Sequence, residues 1–201
     1  MPSAGSLWTQ LLVSGLGWLL AALPAGQPAA ELHHVLPVRG PVDYGSVHHD
    51  YPATDMFADC GSPVVAPVAG VVLEVSRADA WDPVTNRGAA RGGKFVAIRG
   101  LDGVRYYGSH LARVAPSVEP GALVYAGQRV GRVGHTGSAR STPCHLHFGI
   151  SPACRGSGQW WIRRGVVGPY RFLERWRSGR RGSPADAVAR WSREHGCPTR
   201  P

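Results

Sequence analysis

Lysine is almost missing from this sequence: of its 22 basic residues, only Lys94 is not arginine. A GC-rich genome produces such a bias without help from function. The arginines form no long run and no aromatic-basic RNA motif accompanies them, which argues against nucleic acid as a partner. Cysteine occurs four times and never as CxxC, so a structural zinc site built from four thiolates is set aside. Charge is absent from residues 1–30, the first charged side chain being Glu31. No apolar run reaches the roughly 20 residues that cross a bilayer as a helix. The longest, LLVSGLGWLLAALPA from Leu11 to Ala25, has about fifteen, the length of a signal-peptide core. Small residues at Ala25-Gly26 and Ala29-Ala30 offer cleavage points. Residues 1–30 are therefore expected to be a signal peptide or an N-terminal membrane segment, with the rest exported. No cysteine lies near that stretch, which argues against a lipid anchor.

What is present points to one domain of ordinary size. A length of 201 residues suffices to bury a real core. Glycine (27) and proline (17) are spread along the chain and favour short strands and turns, which excludes a helical bundle. A hydrophobic fraction of 43% excludes extended disorder. The formal net charge of +9 lies wholly on residues 31–201 and favours acidic partners; in an exported protein, anionic wall polymers fit best. Cys60, Cys144, Cys154 and Cys197 form an even set, suited to two disulfides in an oxidising compartment. Three pairings are open. Cys144 with Cys154, which bracket a short strand and turn, is the expected pair.

Residues 31–50 read as loop, and Pro63–Val75 as two strands broken at Pro67–Gly70. Residues 78–93 form a polar, glycine-rich excursion. Lys94–Arg99 and Val104–Leu111 make a hairpin around Leu101-Asp102-Gly103, a turn tolerant of positive φ. HLHFGI, His145–Ile150, alternates cleanly as a strand. From Pro169 onward the spacing changes, and Tyr170–Trp176 and Ala185–His195 suggest two short helices. The class is mainly antiparallel β, with a domain at 31–168 and a short helical extension at 169–201.

The chemistry sits in the histidines. His145 and His147 flank Leu146 in a strand, so both point to one face, about 6.5–7 Å apart; Leu146, Phe148 and Ile150 take the core face. His48-His49-Asp50-Tyr51-Pro52-Ala53-Thr54-Asp55 offers imidazole and carboxylate donors in one segment. A mixed His and carboxylate set with an open position is a catalytic zinc pattern. His110 ends the strand VRYYGSHL. His33 and His34 read as linker, His135 as part of a turn, and His195 as tail. One of Tyr106 and Tyr107 is core and the other can face a groove. Trp160 and Trp161 read as core or surface packing.

The order Asp55, APVAGVV (Ala66–Val72), YGSHL (Tyr107–Leu111), GQRVGRVGHTG (Gly127–Gly137) and HLHFGI resembles the lysostaphin-type, or LytM-like, zinc metalloendopeptidases. The likeness spans about residues 45–151 and implies a compact antiparallel β domain with an active-site groove. It implies one zinc ion held by an upstream histidine, Asp55 and His147, with His110 and His145 as the catalytic pair. It also implies peptide bonds of bacterial peptidoglycan as substrate. The family spaces its first ligand as His-x-x-x-Asp, and Tyr51 stands at that place here. His49 is taken as the ligand, with His48 as the alternative. No HExxH is present, which excludes a glutamate base on a zinc-binding helix. Two rivals remain: a degenerate module that binds wall or regulates another hydrolase, and a secreted peptidase acting on a protein such as elastin.

Overall fold

The computed structural model describes residues 32–155 and 159–198; the expected leader, residues 1–30, lies outside them. Among the described residues no helix is long and apolar enough to cross a membrane. The protein is mainly β. Strands β1 (Asp43–Tyr44), β2 (Thr54–Phe57), β4 (Gly70–Ser76), β5 (Phe95–Gly100), β6 (Val104–Ser109), β8 (Leu123–Val124) and β10 (His145–Pro152) form one antiparallel sheet. Its order is β1-β2-β10-β6-β5-β4-β8. Strands β3 (Pro63–Val65), β7 (Arg113–Val114) and β9 (Arg129–Arg132) form a second sheet ordered β3-β9-β7. Helices α1 (Trp160–Arg163), α2 (Tyr170–Arg177) and α3 (Ala185–His195) follow.

The period-2 pattern of the strands decides which face is dry. Leu146, Phe148 and Ile150 of β10, Val96 and Ile98 of β5 and Tyr106 of β6 are all buried in one cluster, which Val64, Val114 and Val130 of the small sheet close. Phe172, Leu173 and Trp176 of α2 and Val188 of α3 belong to the same cluster. Helices α2 and α3 thus share the core of the β domain. The opposite face of the large sheet carries Phe95, Ala97 and Tyr107 as a small separate cluster, with His145 and His147 alongside.

Two expectations change. The disulfides are Cys60–Cys144 and Cys154–Cys197, not Cys144–Cys154. The eight residues of β10 between the latter two are extended, which at about 3.3 Å per residue separates them by roughly 26 Å, far beyond the ~7 Å a disulfide permits. His34 is also no linker residue. It is 5% exposed, stacks on Trp176 with ring centroids 5.2 Å apart, and its Nε2 lies 3.2 Å from both Asp102 Oδ2 and the Tyr106 hydroxyl. The Tyr106 and Ser183 hydroxyls donate to the same Asp102 oxygen at 2.7 and 2.6 Å. This buried polar knot ties the N-terminal segment, the β5–β6 turn and the α2–α3 connection together.

Candidate active site

The register of β10 builds the site. His147 stands opposite Asp55 of β2 on one side and Ser109 of β6 on the other. His147 Nδ1 lies 2.9 Å from Asp55 Oδ1, and the same ring donates from Nε2 to the Arg164 carbonyl at 2.9 Å. That approach needs Gly149: a Cβ there would sit 2.2 Å from the Arg164 oxygen. With Nε2 holding the proton, Nδ1 and the Asp55 carboxylate are two electron-pair donors facing each other, an arrangement a cation between them resolves.

The third donor comes from the loop before β2. His48 Nε2 is 3.6 Å from Asp55 Oδ2. One ligand atom each from His48, Asp55 and His147 lies within 4.8 Å of the others. His49 lines the same groove but is not among the clustered donors. It is exposed and meets His48 edge-on at a centroid distance of 5.0 Å. Sequence expectation names His49 as the donor beside Asp55, whereas the donor atoms that cluster with Asp55 and His147 are those of His48. Tyr51 packs its ring 4.4 Å from His48 and 5.7 Å from His147.

Beside this triad stand the other two histidines. His145 donates from Nδ1 to the Pro143 carbonyl at 2.9 Å, and its Nε2 lies 4.0 Å from Asp55 Oδ1. His110 donates from Nδ1 to the Thr136 carbonyl at 2.8 Å. The two rings are 5.0 Å apart. Backbone carbonyls thus fix the tautomers of His110, His145 and His147 alike, and each ring is left with one unprotonated nitrogen. His110 carries a left-handed φ of 66°, a conformation rare outside glycine and held here by its surroundings. Its amide donates to the Gly92 carbonyl at 3.0 Å. Gly134 lets the neighbouring chain pass, since a Cβ there would lie 2.3 Å from the Ala112 nitrogen.

Burial and the neighbouring histidines push the His110 imidazole down to about 3. Burial alone would raise Asp55; with no cation between them, a doubly protonated His147 bonded through Nδ1–H and the charges of His147, His145 and His48 outweigh burial and hold the carboxyl at about 2. The site opens into a groove of about 240 Å³. Tyr107 lines it, while Tyr106 is in the core, as their alternation requires. His33, His135 and His195 are exposed and outside it.

The family model for peptidase family M23 matches residues 49–158, more than half of the chain. The chain belongs to peptidase family M23. The match opens one residue past His48, so the placing of His48 rests on geometry. The L-Ala–D-Glu endopeptidase of Bacillus subtilis (strain 168) is 29% identical over 155 residues, 70% of this chain and 42% of that protein. The chain thus spans under half the length of this curated relative. Among solved structures, the antimicrobial peptidase lysostaphin from Staphylococcus simulans superposes with a TM-score of 0.54 at 26% identity, over 78% of this chain and 59% of that one. A putative glycyl-glycine endopeptidase LytM from Ruminococcus gnavus shares the fold, with a TM-score of 0.55 at 22% identity over 74% and 62%. The M23 fold and LytM-like character implied by the sequence motifs are therefore established.

Sequence reasoning missed one wall of this M23 groove. Helix α1 and the residue after it bring Trp160, Arg163 and Arg164 to the rim. Four helical residues leave no readable period, and the glycine that admits them, Gly149, sits inside a motif read for its histidines.

Proposed function

We propose that this chain is an exported zinc endopeptidase that hydrolyses peptide bonds in the stems or cross-bridges of bacterial peptidoglycan. Its metal ligands are His48, Asp55 and His147, and its catalytic pair is His110 and His145. The observation that carries the reading is the convergence of three donor atoms and two carbonyl-anchored imidazoles in one groove. Two nitrogens and one carboxylate oxygen are a set that suits zinc and leaves a position open. The names of the relatives support the substrate class, and the L-Ala–D-Glu junction is the first bond to test. Export is supported by the uncharged, apolar N-terminal segment and by two disulfides. Exposed arginines of the C-terminal helices suit contact with anionic wall polymers.

When bound, zinc supplies Lewis acidity and lowers the pKa of a water to about 7. The protein's own groups handle the protons. His145, its Nδ1–H committed to Pro143, presents Nε2 as acceptor at the edge of the ligand triad; it takes the proton of the attacking water and returns it to the leaving amine. His110, fixed in the same way by Thr136, packs against His145 and accepts a hydrogen bond from that water. Arg164, through its carbonyl, orients His147.

Mass spectrometry of peptidoglycan incubated with the zinc-loaded chain, with and without chelator, tests the reading. New peptide fragments that vanish with chelator are expected, and their masses name the bond. Folded, zinc-loaded protein that releases no fragments refutes the enzyme. Protein that binds wall but holds no zinc establishes a binding module instead.

A further inference from the structure

We infer that Arg164 makes this groove selective for a peptide carrying a free carboxylate close to the scissile bond; the inference rests on the endopeptidase reading and adds the substrate's charge. Three arginines line the groove: Arg91, Arg163 and Arg164. Arg163 and Arg91 are held by hydrogen bonds to the protein. Arg163 donates from Nη1 to Glu74 Oε2 at 2.6 Å and from Nη2 to the Ala89 carbonyl at 3.3 Å. Arg91 donates from Nε to Asn86 Oδ1 at 3.0 Å.

Arg164 differs. Among the described residues no carboxylate lies within 4.0 Å of its guanidinium; its buried Nε, like that of Arg163, has no hydrogen-bond partner, but Arg163 is anchored through both terminal nitrogens. Aromatic rings position it instead, with its guanidinium carbon 3.8 Å from the Tyr51 ring centre and 5.5 Å from that of Trp160. Stacking fixes the plane of a guanidinium without consuming its N–H groups. A half-buried cation held this way, with donors unspent, gains from an anion that brings two oxygens to the planar fork.

Its place in the groove says where on the substrate that anion lies. The Tyr51 ring under the guanidinium also packs on His48 and His147, and the Arg164 carbonyl holds His147. The fork therefore stands one aromatic ring away from the ligand triad. A carboxylate on the residue that forms the scissile bond, or on its neighbour, reaches it; a glycyl-glycine substrate has no group for it.

Two blocked peptides test this, one containing L-Ala–D-Glu and the other L-Ala–D-Gln, so that one side-chain carboxylate is their only charge difference. Binding and cleavage of both are measured with the zinc-loaded chain and its Arg164→Gln and Arg164→Lys variants. The native protein should bind the carboxylate peptide about 10- to 100-fold more tightly, the range of hydrogen bonds to charged groups. Arg164→Gln should bring that ratio close to one, and Arg164→Lys should keep part of it. A native ratio near one, or a ratio that survives Arg164→Gln, overturns the inference. Cleavage judges the parent reading separately: the binding preference without hydrolysis of either peptide leaves Arg164 as the selecting residue and removes this junction as the scissile bond, and the endopeptidase itself falls only if whole peptidoglycan also releases no fragments.

Discussion

Replacing Gly149 by alanine should loosen the proposed metal centre without altering any proposed ligand. The added Cβ would stand 2.2 Å from the Arg164 oxygen and 2.6 Å from its carbonyl carbon, below the 3.0 Å that real Cβ contacts respect. Backbone is not a flexible side-chain tip, so the segment after α1 must retreat by most of an ångström. That carbonyl is the partner of His147 Nε2 at 2.9 Å, and the retreat breaks the bond that fixes the tautomer and orientation of His147. Losing such an outer partner weakens metal binding by about 10- to 100-fold, or about 1.4–2.8 kcal/mol. Overpacking costs the fold a further 1–3 kcal/mol or so, which in a chain of this length lowers Tm by about 2–12 °C. Gly168→Ala is the control, because a Cβ there meets nothing within 4 Å. Zinc competition against a chromogenic chelator, with a thermal melt on the same samples, reads both quantities. Folded Gly149→Ala with native zinc affinity would refute the role given to the Arg164 carbonyl.

Three further outcomes follow from the geometry. His48→Ala should release zinc while His49→Ala retains it, by metal analysis of the purified proteins; the reverse result restores the ligand first expected from the sequence. His147→Ala should lose both metal and turnover, whereas His145→Ala should keep metal and lose about 10²- to 10⁴-fold in kcat, the worth of a positioned acid-base group; near-native kcat in His145→Ala would remove it from the catalytic pair. Burial by itself would raise Asp102, but hydrogen bonds from His34, Ser183 and Tyr106 outweigh it and hold this carboxyl below its ordinary value. A depressed folded-state pKa gives stability that is present above about 3.9, the ordinary value, and is lost as pH falls through the folded one. Melts in descending pH should show the native protein losing stability below about pH 4 more steeply than Asp102→Asn; parallel curves would show that the knot contributes nothing through its charge.

Much of this protein is legible in its residues because local rules act at short range. Alternation in HLHFGI assigns Leu146, Phe148 and Ile150 to the core and both histidines to the other face whatever the rest of the chain does. Glycine and proline punctuate the strands, and the spacing of Phe172, Leu173 and Trp176 declares a helix with one buried side. The same logic separates Tyr106 from Tyr107. The sequence places His110 at a strand end and His145 and His147 on a strand; the short strand β2 that carries Asp55 is not read from it, and the fold brings all four into one groove.

Tertiary structure decided what has no period. His48 and His49 are adjacent on a turn, chemically identical, and only the turn's path relative to Asp55 selects between them. The cysteines carry no label of their partners; the straight run of β10 forbids the pair nearest in sequence and leaves Cys60 and Cys197 to be brought in by other parts of the chain. His34 looks like linker until Trp176, Tyr106 and Asp102, distant in sequence, close around it. Arg164 is one arginine among many in the sequence, and only the packing of α1 across Gly149 sets its carbonyl on His147 and its guanidinium over Tyr51. Side-chain type and alternation are properties of the chain itself, so the sequence determines strands, faces and the chemical repertoire; which of those groups meet depends on contacts between residues far apart, which folding alone creates.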